Sequence, residues 1–137
     1  MTKLSCFVSF ARKHANAADF VIIYLEEAHP TDGWMYPAVQ HFIAQHTAIE
    51  QRLAAASLLA TELNQFGNGS GSVFDGDATT VKLYVDSMLN TASVQFGALP
   101  ERLAIIMDGK VCWIGGKGPM EYSIPKAEEA LQRLMDA

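Results

Sequence analysis

Residues 20–34 read FVIIYLEEAHPTDGW and contain the segment that decides the fold. The apolar run at 20–25 is rich in β-branched residues and too short for an independent helix. It therefore predicts a strand covered on both faces, as in a parallel sheet. Polar residues follow directly at 26–30, at the C-terminal end of that strand. Thr31, Asp32 and Gly33 have the chemistry of a turn.

Helical patterns lie on both sides of this strand. Apolar residues recur every three or four positions over 3–18, which predicts a first helix. Thr47 and Glu50 form a T-x-x-E capping box, which predicts a second helix that runs to about Asn64. Gly and Ser are frequent in the segment 65–78, which is typical of a flexible, inserted loop. The predicted inner face of the second helix consists of Ile49, Leu53, Ala56 and Leu59.

The second half of the chain completes an α/β pattern. Asp108 and Gly109 are a strong signal for a two-residue hairpin between two apolar segments. The order of elements is that of a thioredoxin-like mixed sheet flanked by helices, with the first strand of that fold absent. The predicted strands are 81–85, 103–107 and 110–114, and the predicted closing helix is about 125–135.

Length and composition limit the class of protein. The 137 residues are 50% hydrophobic and 18% charged, which predicts one domain over residues 1–137 with enough apolar side chains for a core. The net charge of −5 argues against a general nucleic-acid-binding protein. No apolar run approaches the ~20 residues of a membrane helix, and no secretory signal opens the chain. Cys6 and Cys112 are too few for a disulfide scaffold, so a cytoplasmic location is expected for the chain as given.

Five blocks of sequence resemble the iodothyronine deiodinases, a family of thioredoxin-fold selenoenzymes. The longest is IIYLEEAHPTDGW at 22–34, and AQHTAIEQR at 44–52 is similar to the family's second histidine segment. VDSMLN at 85–90 resembles its D-[ST]-M-x-N stretch. The last two are the aromatic-Gly-Ala and E-R-L elements within 96–103 and the G-G-K-G-P turn at 115–119. The resemblance covers nearly the whole chain outside the 65–78 loop.

One block of that family is absent. Its catalytic motif, S-C-[TA]-Sec-P-P-F, lies just before the first helix. An ungapped alignment places the selenocysteine a few residues before Met1, and the register that matches Ser5 and Cys6 puts Val8 at the nucleophile position. We therefore expect the selenocysteine upstream of Met1, lost where a UGA codon was taken as a stop. The 137-residue chain is then incomplete at its N-terminus and inactive alone. A membrane anchor of the family's kind would also lie upstream.

The resemblance implies thiol-dependent reductive deiodination of thyroid hormone or a related iodinated phenol. A selenolate attacks iodine on the ring, a general acid protonates the ring carbon, and a thiol then restores the selenium. The residues that match the family's proton-relay positions are Tyr24, Glu27, His29 and His46. Those that match its clamp for the amino-acid end of the hormone are His29, Glu101 and Lys117.

The chemistry of Glu27 and His29 fits such a relay. Residues two apart in an extended chain project to the same side, and a carboxylate beside an imidazole fixes its tautomer and favours its protonated form. The alternative is a hydrogen-bonded cluster at the strand end that only fixes the loop. Lys117 replaces the arginine of vertebrate forms and cannot make a bidentate carboxylate contact. Its alternative role is that of a solvated hairpin residue.

Two other functions stay open. A peroxiredoxin- or thioredoxin-like redox module would need a Cys-x-x-Cys or peroxidatic cysteine motif, and the sequence has neither. The second is a non-catalytic thioredoxin-fold binding domain. No bound cofactor or metal is expected, because His41 and His46 are five apart, which is a poor helical spacing for zinc. The resemblance implies an iodinated aromatic substrate, a thiol reductant and a second copy in a homodimer as partners.

Overall fold

A computed structural model describes residues 2–38, 41–66 and 81–137 of the chain. Within these ranges the chain forms four helices and four short strands, so the predicted mixture of α and β structure is confirmed. In chain order the elements are α1 Lys3–Lys13, β1 Val21–Tyr24, α2 Ile49–Gln65, β2 Lys82–Val85, α3 Thr91–Phe96, β3 Ala104–Met107, β4 Lys110–Ile114 and α4 Ile124–Met135.

The strands pair in two separate sheets. β1 and β2 are parallel, with Ile22 opposite Leu83, whereas β3 and β4 form an antiparallel hairpin. The hairpin turns at Asp108 and Gly109, whose φ angles of 52° and 73° match the two left-handed positions of a type I′ turn. The parallel pairing and the hairpin are both as the sequence predicts. The sheet is divided into two pairs, and within the described residues β1 has one strand neighbour only.

The core lies between α1, α4 and the inner faces of the strands. Phe7 and Phe10 of α1 meet Phe20 edge to face, with ring centroids 6.0 and 5.0 Å apart. α4 contributes Ala127 and Leu131 to the same cluster. Burial of these apolar side chains is the main stabilising term available to so small a fold.

One face of β1 is exposed, which corrects the prediction of a strand covered on both faces. Val21 and Ile23 are 45% and 41% exposed, while Ile22 packs against the core. The parallel pairing of β1 fits the β-branched composition of residues 20–25. The elements that cover β1, however, pack against only one of its two faces.

The helix starts and ends differ from the predictions in two places. α1 ends at Lys13 instead of residue 18, with the Thr2 side chain accepting from the backbone N–H of Ser5 at its start. The predicted capping box of Thr47 and Glu50 is absent. Instead, Gln51 accepts from the Thr47 backbone N–H at 2.7 Å.

α3 has six residues and was not predicted, and the 65–78 insertion lies outside the described residues except for Gln65 and Phe66. No helix in the described ranges is both long and apolar enough to cross a bilayer.

Candidate active site

A cleft of about 500 Å³ runs along β1. Five consecutive residues, 21–25, line it, so it follows the edge of the strand and not one face. The segment 100–103 ahead of β3 and the start of α1 contribute further lining. Most of the lining is apolar, but Glu26, Glu27 and Glu101 place three carboxylates on its walls.

Glu27 is the centre of a polar cluster at this cleft. The Tyr24 hydroxyl donates to Glu27 Oε1, and His46 Nε2 lies 3.3 Å from the same oxygen. The His46 side chain is 1% exposed, and Nε2 has no well-aligned hydrogen-bond acceptor among the described residues. Three of the four residues predicted for the proton relay therefore lie together.

Burial sets the protonation of the two rings in the cluster. It raises the pKa of Tyr24 far above the ordinary value, and the hydrogen bond to Glu27 and the charge of that carboxylate act in the same direction. Burial also lowers the pKa of His46. The nearby Glu27 charge opposes that effect without overcoming it, whereas the Arg52 charge adds to it. At neutral pH Tyr24 is therefore a phenol and His46 a neutral imidazole.

Gln45 holds the backbone of Glu27. Its side-chain oxygen accepts from the Glu27 backbone N–H at 3.0 Å, and its side-chain nitrogen donates to the Glu27 carbonyl at 2.9 Å. The Gln45 backbone N–H in turn donates to Asp32 Oδ1 at 2.8 Å. These hydrogen bonds connect the start and the end of the loop after β1. They therefore fix the position of the Glu27 backbone.

Arg52 is a residue of this site that the sequence reasoning missed. It is 2% exposed, and its Nε donates to His46 Nδ1 at 3.1 Å. The predicted inner face of α2 was wrong for Ile49 and Leu53, which are 37% and 51% exposed. The buried residues of α2 are Arg52, Ala55, Ala56 and Leu63. The helical spacing of these buried residues is visible in the sequence. It begins with an arginine, however, and arginine is rarely assigned to the buried face of a helix.

His29 lies apart from Glu27. Its Nδ1 is 3.1 Å from the carbonyl oxygen of Trp34, and its ring packs against the rings of Trp34 and Tyr36, with centroids 5.1 and 5.6 Å away. No ion pair joins His29 to Glu27 in the part of the chain that the structure describes. The predicted same-side pairing does not form, because β1 ends at Tyr24 and the chain bends at residues 26, 28 and 29.

The predicted clamp residues Glu101 and Lys117 lie on adjacent segments. Glu101 lines the cleft and pairs with Lys3. The backbone N–H of Gly118 donates to the Glu101 carbonyl at 2.9 Å, so Lys117 is one residue from this contact but does not line the cleft. A Cβ at Gly118 would clash with Glu101 Cγ, so only glycine allows this approach.

Comparison with known proteins gives consistent matches along the chain. A family model described as iodothyronine deiodinase matches residues 1–135. Over 133 residues the chain is 36% identical to the thyroxine 5-deiodinases of Sparus aurata and Bos taurus and 35% identical to that of Homo sapiens. Each alignment covers 97% of this chain, but 44%, 39% and 39% of the respective relative. The chain thus spans about two fifths of the length of these relatives.

Proposed function

This chain belongs to the iodothyronine deiodinase family, and on that premise we propose that the protein removes iodine reductively from thyroxine or a related iodinated phenol. Within this reaction the 137 residues supply the proton-donating side of the site. The observation that carries the proposal is Glu27, a carboxylate on the cleft wall that is hydrogen-bonded to a phenol and lies next to a buried imidazole.

The reaction replaces a carbon–iodine bond with a carbon–hydrogen bond. When a nucleophile takes up the iodine, the bonding electron pair stays on the ring carbon, which must then receive a proton. Glu27 is suited to deliver it once its carboxylate has taken up a proton from solvent. Its Oε1 accepts from the Tyr24 hydroxyl and lies 3.3 Å from His46 Nε2, whereas Oε2 has no hydrogen-bond partner among the described residues. Oε2 is therefore the oxygen from which a proton can pass to a ring bound in the cleft.

The proposed nucleophile is a selenocysteine outside these 137 residues. When present it would supply a soft, polarisable anion that attacks iodine, and an external thiol would return it to the reduced state. The apolar cleft beside Glu27 suits a large, polarisable iodine atom. Neither Cys6 nor Cys112 lines the cleft, so the thiols of the chain do not take this role.

The remaining predicted residues are proposed to bind the substrate. Glu101, on the cleft wall, would meet the ammonium group of an iodothyronine, and Lys117, on the adjacent turn outside the cleft lining, would meet its carboxylate. His29 would contribute from the loop after β1, where its ring packs with those of Trp34 and Tyr36. A lysine offers a single charge where an arginine would make two parallel hydrogen bonds, so carboxylate binding is weaker than with arginine.

A thioredoxin-like fold is part of the same proposal. The cleft is lined by β1 and by the segment 100–103 that leads into β3, and β1 has one edge without a strand neighbour among the described residues. One extended strand in this position would join the two pairs into a mixed sheet. Such a strand would end near Glu27, at the carboxyl end of β1, where the proposed selenocysteine is required.

The function is tested on a chain extended upstream to include the selenocysteine. The extended protein is incubated in D₂O with thyroxine and dithiothreitol, and released iodide and the deiodinated product are measured by mass spectrometry. We expect thiol-dependent iodide release, with one deuterium on the ring carbon that lost iodine. Peroxide consumption without iodide release would support a redox module, and thyroxine binding without turnover would support a binding domain. Either outcome contradicts the proposal.

A further inference from the structure

Arg52 and His46 form a hydrogen-bonded pair in which both side chains are buried. Arg52 lies in the first turn of α2 and is 2% exposed, and the His46 side chain, just ahead of that helix, is 1% exposed. Arg52 Nε lies 3.1 Å from His46 Nδ1. Since water has no access to either partner, the contact fixes which groups carry protons.

The donor and acceptor roles in this contact have one solution. A guanidinium group has only N–H donors, so His46 Nδ1 must be the acceptor and carries no proton. In a neutral imidazole the proton then resides on Nε2, which lies 3.3 Å from Glu27 Oε1. A proton on Nδ1 would place two N–H groups face to face, and it would put a second positive charge beside Arg52.

Arg52 is itself fixed from the other side. Its Nη1 donates to the carbonyl oxygen of Ser87 at 2.7 Å and approaches that of Asp86 at 3.4 Å. The Asp86 carboxylate is held in turn, because it accepts from the backbone N–H groups of Ala92 and Ser93 at 2.9 Å each. The guanidinium group therefore cannot follow His46 if the imidazole changes its protonation.

We propose that Arg52 is a positioning residue that locks His46 in the Nε2–H tautomer, so that a neutral imidazole presents its one N–H on the side of Glu27. A neutral donor with its only proton on Nε2 does not act as an imidazolium acid. The proton that reaches the ring carbon therefore passes through Glu27, which takes it up from solvent before releasing it to the ring, while His46 and Tyr24 hold the carboxyl group in place. This catalytic meaning rests on the proposed function, whereas the tautomer does not.

The tautomer is measured by ¹⁵N–¹H correlation NMR of the imidazole rings in the 137-residue chain. We expect His46 Nδ1 to resonate as an unprotonated, pyridine-type nitrogen and Nε2 as a protonated, pyrrole-type nitrogen from pH 7 to about pH 8. A protonated Nδ1 at neutral pH, in either the other tautomer or the imidazolium, would overturn the proposal. This result needs no variant, so it stands even if a variant fails to fold.

Substitution of the arginine tests its role directly. In Arg52→Met we expect the titration midpoint of His46 to rise by about one pH unit or more, because the opposing charge is lost while Glu27 remains. The matched control is Arg102→Met, since Arg102 donates to the carbonyls of Gly115 and Phe96 in the same manner but contacts no histidine. An unchanged midpoint in Arg52→Met, or an equal rise in Arg102→Met, contradicts the proposal. Absence of deiodination would leave this measurement unaffected.

Discussion

At the scale of single residues, Glu27 Oε1 serves two neighbours of different chemistry. The Tyr24 phenol donates to it, and the His46 imidazole approaches it from the protein interior. Because the pKa of Tyr24 is raised, its hydroxyl group keeps its proton near pH 7. Because the pKa of His46 is lowered, its imidazole is neutral at that pH. This arrangement is the basis for our proposal that Glu27 is the member of the cluster that passes a proton to a ligand.

His46 should make the stability of the protein depend on pH. Burial lowers its folded pKa below the ordinary 6.5, with Arg52 acting alongside and with Glu27 and Glu26 opposing. The unfolded chain therefore binds a proton at His46 more readily than the folded chain does. The contribution of neutral His46 to stability is complete above pH 6.5 and is lost as the pH falls below that value. We expect the free energy of unfolding to decrease by up to about 1.4 kcal/mol per pH unit in that window.

This dependence is measured by urea unfolding at a series of pH values. His46→Gln should flatten the curve between about pH 7 and 5, since an amide can accept from Arg52 and donate to Glu27 without titrating. His14→Gln is the matched control, because His14 pairs with Glu128 at the surface of α4. If His14→Gln flattens the curve and His46→Gln does not, the assignment is wrong.

At the scale of elements, the loop after β1 owes its closure to one side chain. Gln45 makes two hydrogen bonds to the backbone of Glu27, so Gln45→Ala should cost about 1–3 kcal/mol of unfolding free energy. The amide of Glu27 should also exchange with solvent much faster. Gln51→Ala is the control, since Gln51 makes two similar contacts to Thr47 without touching Glu27. Unchanged exchange at Glu27 in Gln45→Ala would contradict this role.

The turn after β4 should tolerate no side chain at Gly118. Gly118→Ala would place a methyl group against the Glu101 side chain, and we expect a loss of about 1–3 kcal/mol in unfolding free energy. Glu101→Ala removes the clashing atoms, so the double variant should recover much of that loss. The measurement is a double-mutant cycle by denaturant unfolding. Purely additive effects would show that the contact with Glu101 does not restrict this glycine.

At the scale of the whole molecule, local signals predicted the fold better than they predicted the site. The Asp108 and Gly109 turn and the apolar run of β1 carry their structure in adjacent residues, and both were predicted. The coverage of β1 depends on distant elements, so the exposed face at Val21 and Ile23 could not be seen. α3 is six residues long, too short to show a helical period.

The residues of the site show the same contrast between contacts local in sequence and contacts between distant segments. Tyr24 and Glu27, which the family resemblance assigned to one relay, lie three residues apart and are hydrogen-bonded. The partner of Glu27 is His46, which α2 brings in from 19 residues away, and not His29. Arg52 escaped notice because a buried arginine is acceptable only with the Ser87 carbonyl and His46 beside it, and that arrangement exists only in three dimensions.

The central claim is that Glu27 delivers the proton, and one pair of variants tests it most directly. In the extended, selenocysteine-containing protein we predict that Glu27→Gln lowers kcat for iodide release by about 10²–10⁴-fold. Glu26→Gln should stay close to wild type, because Glu26 lines the same cleft but bonds to Asn90 instead of to the Tyr24 and His46 cluster. Equal turnover in Glu27→Gln and wild type, with both folded, would contradict the account.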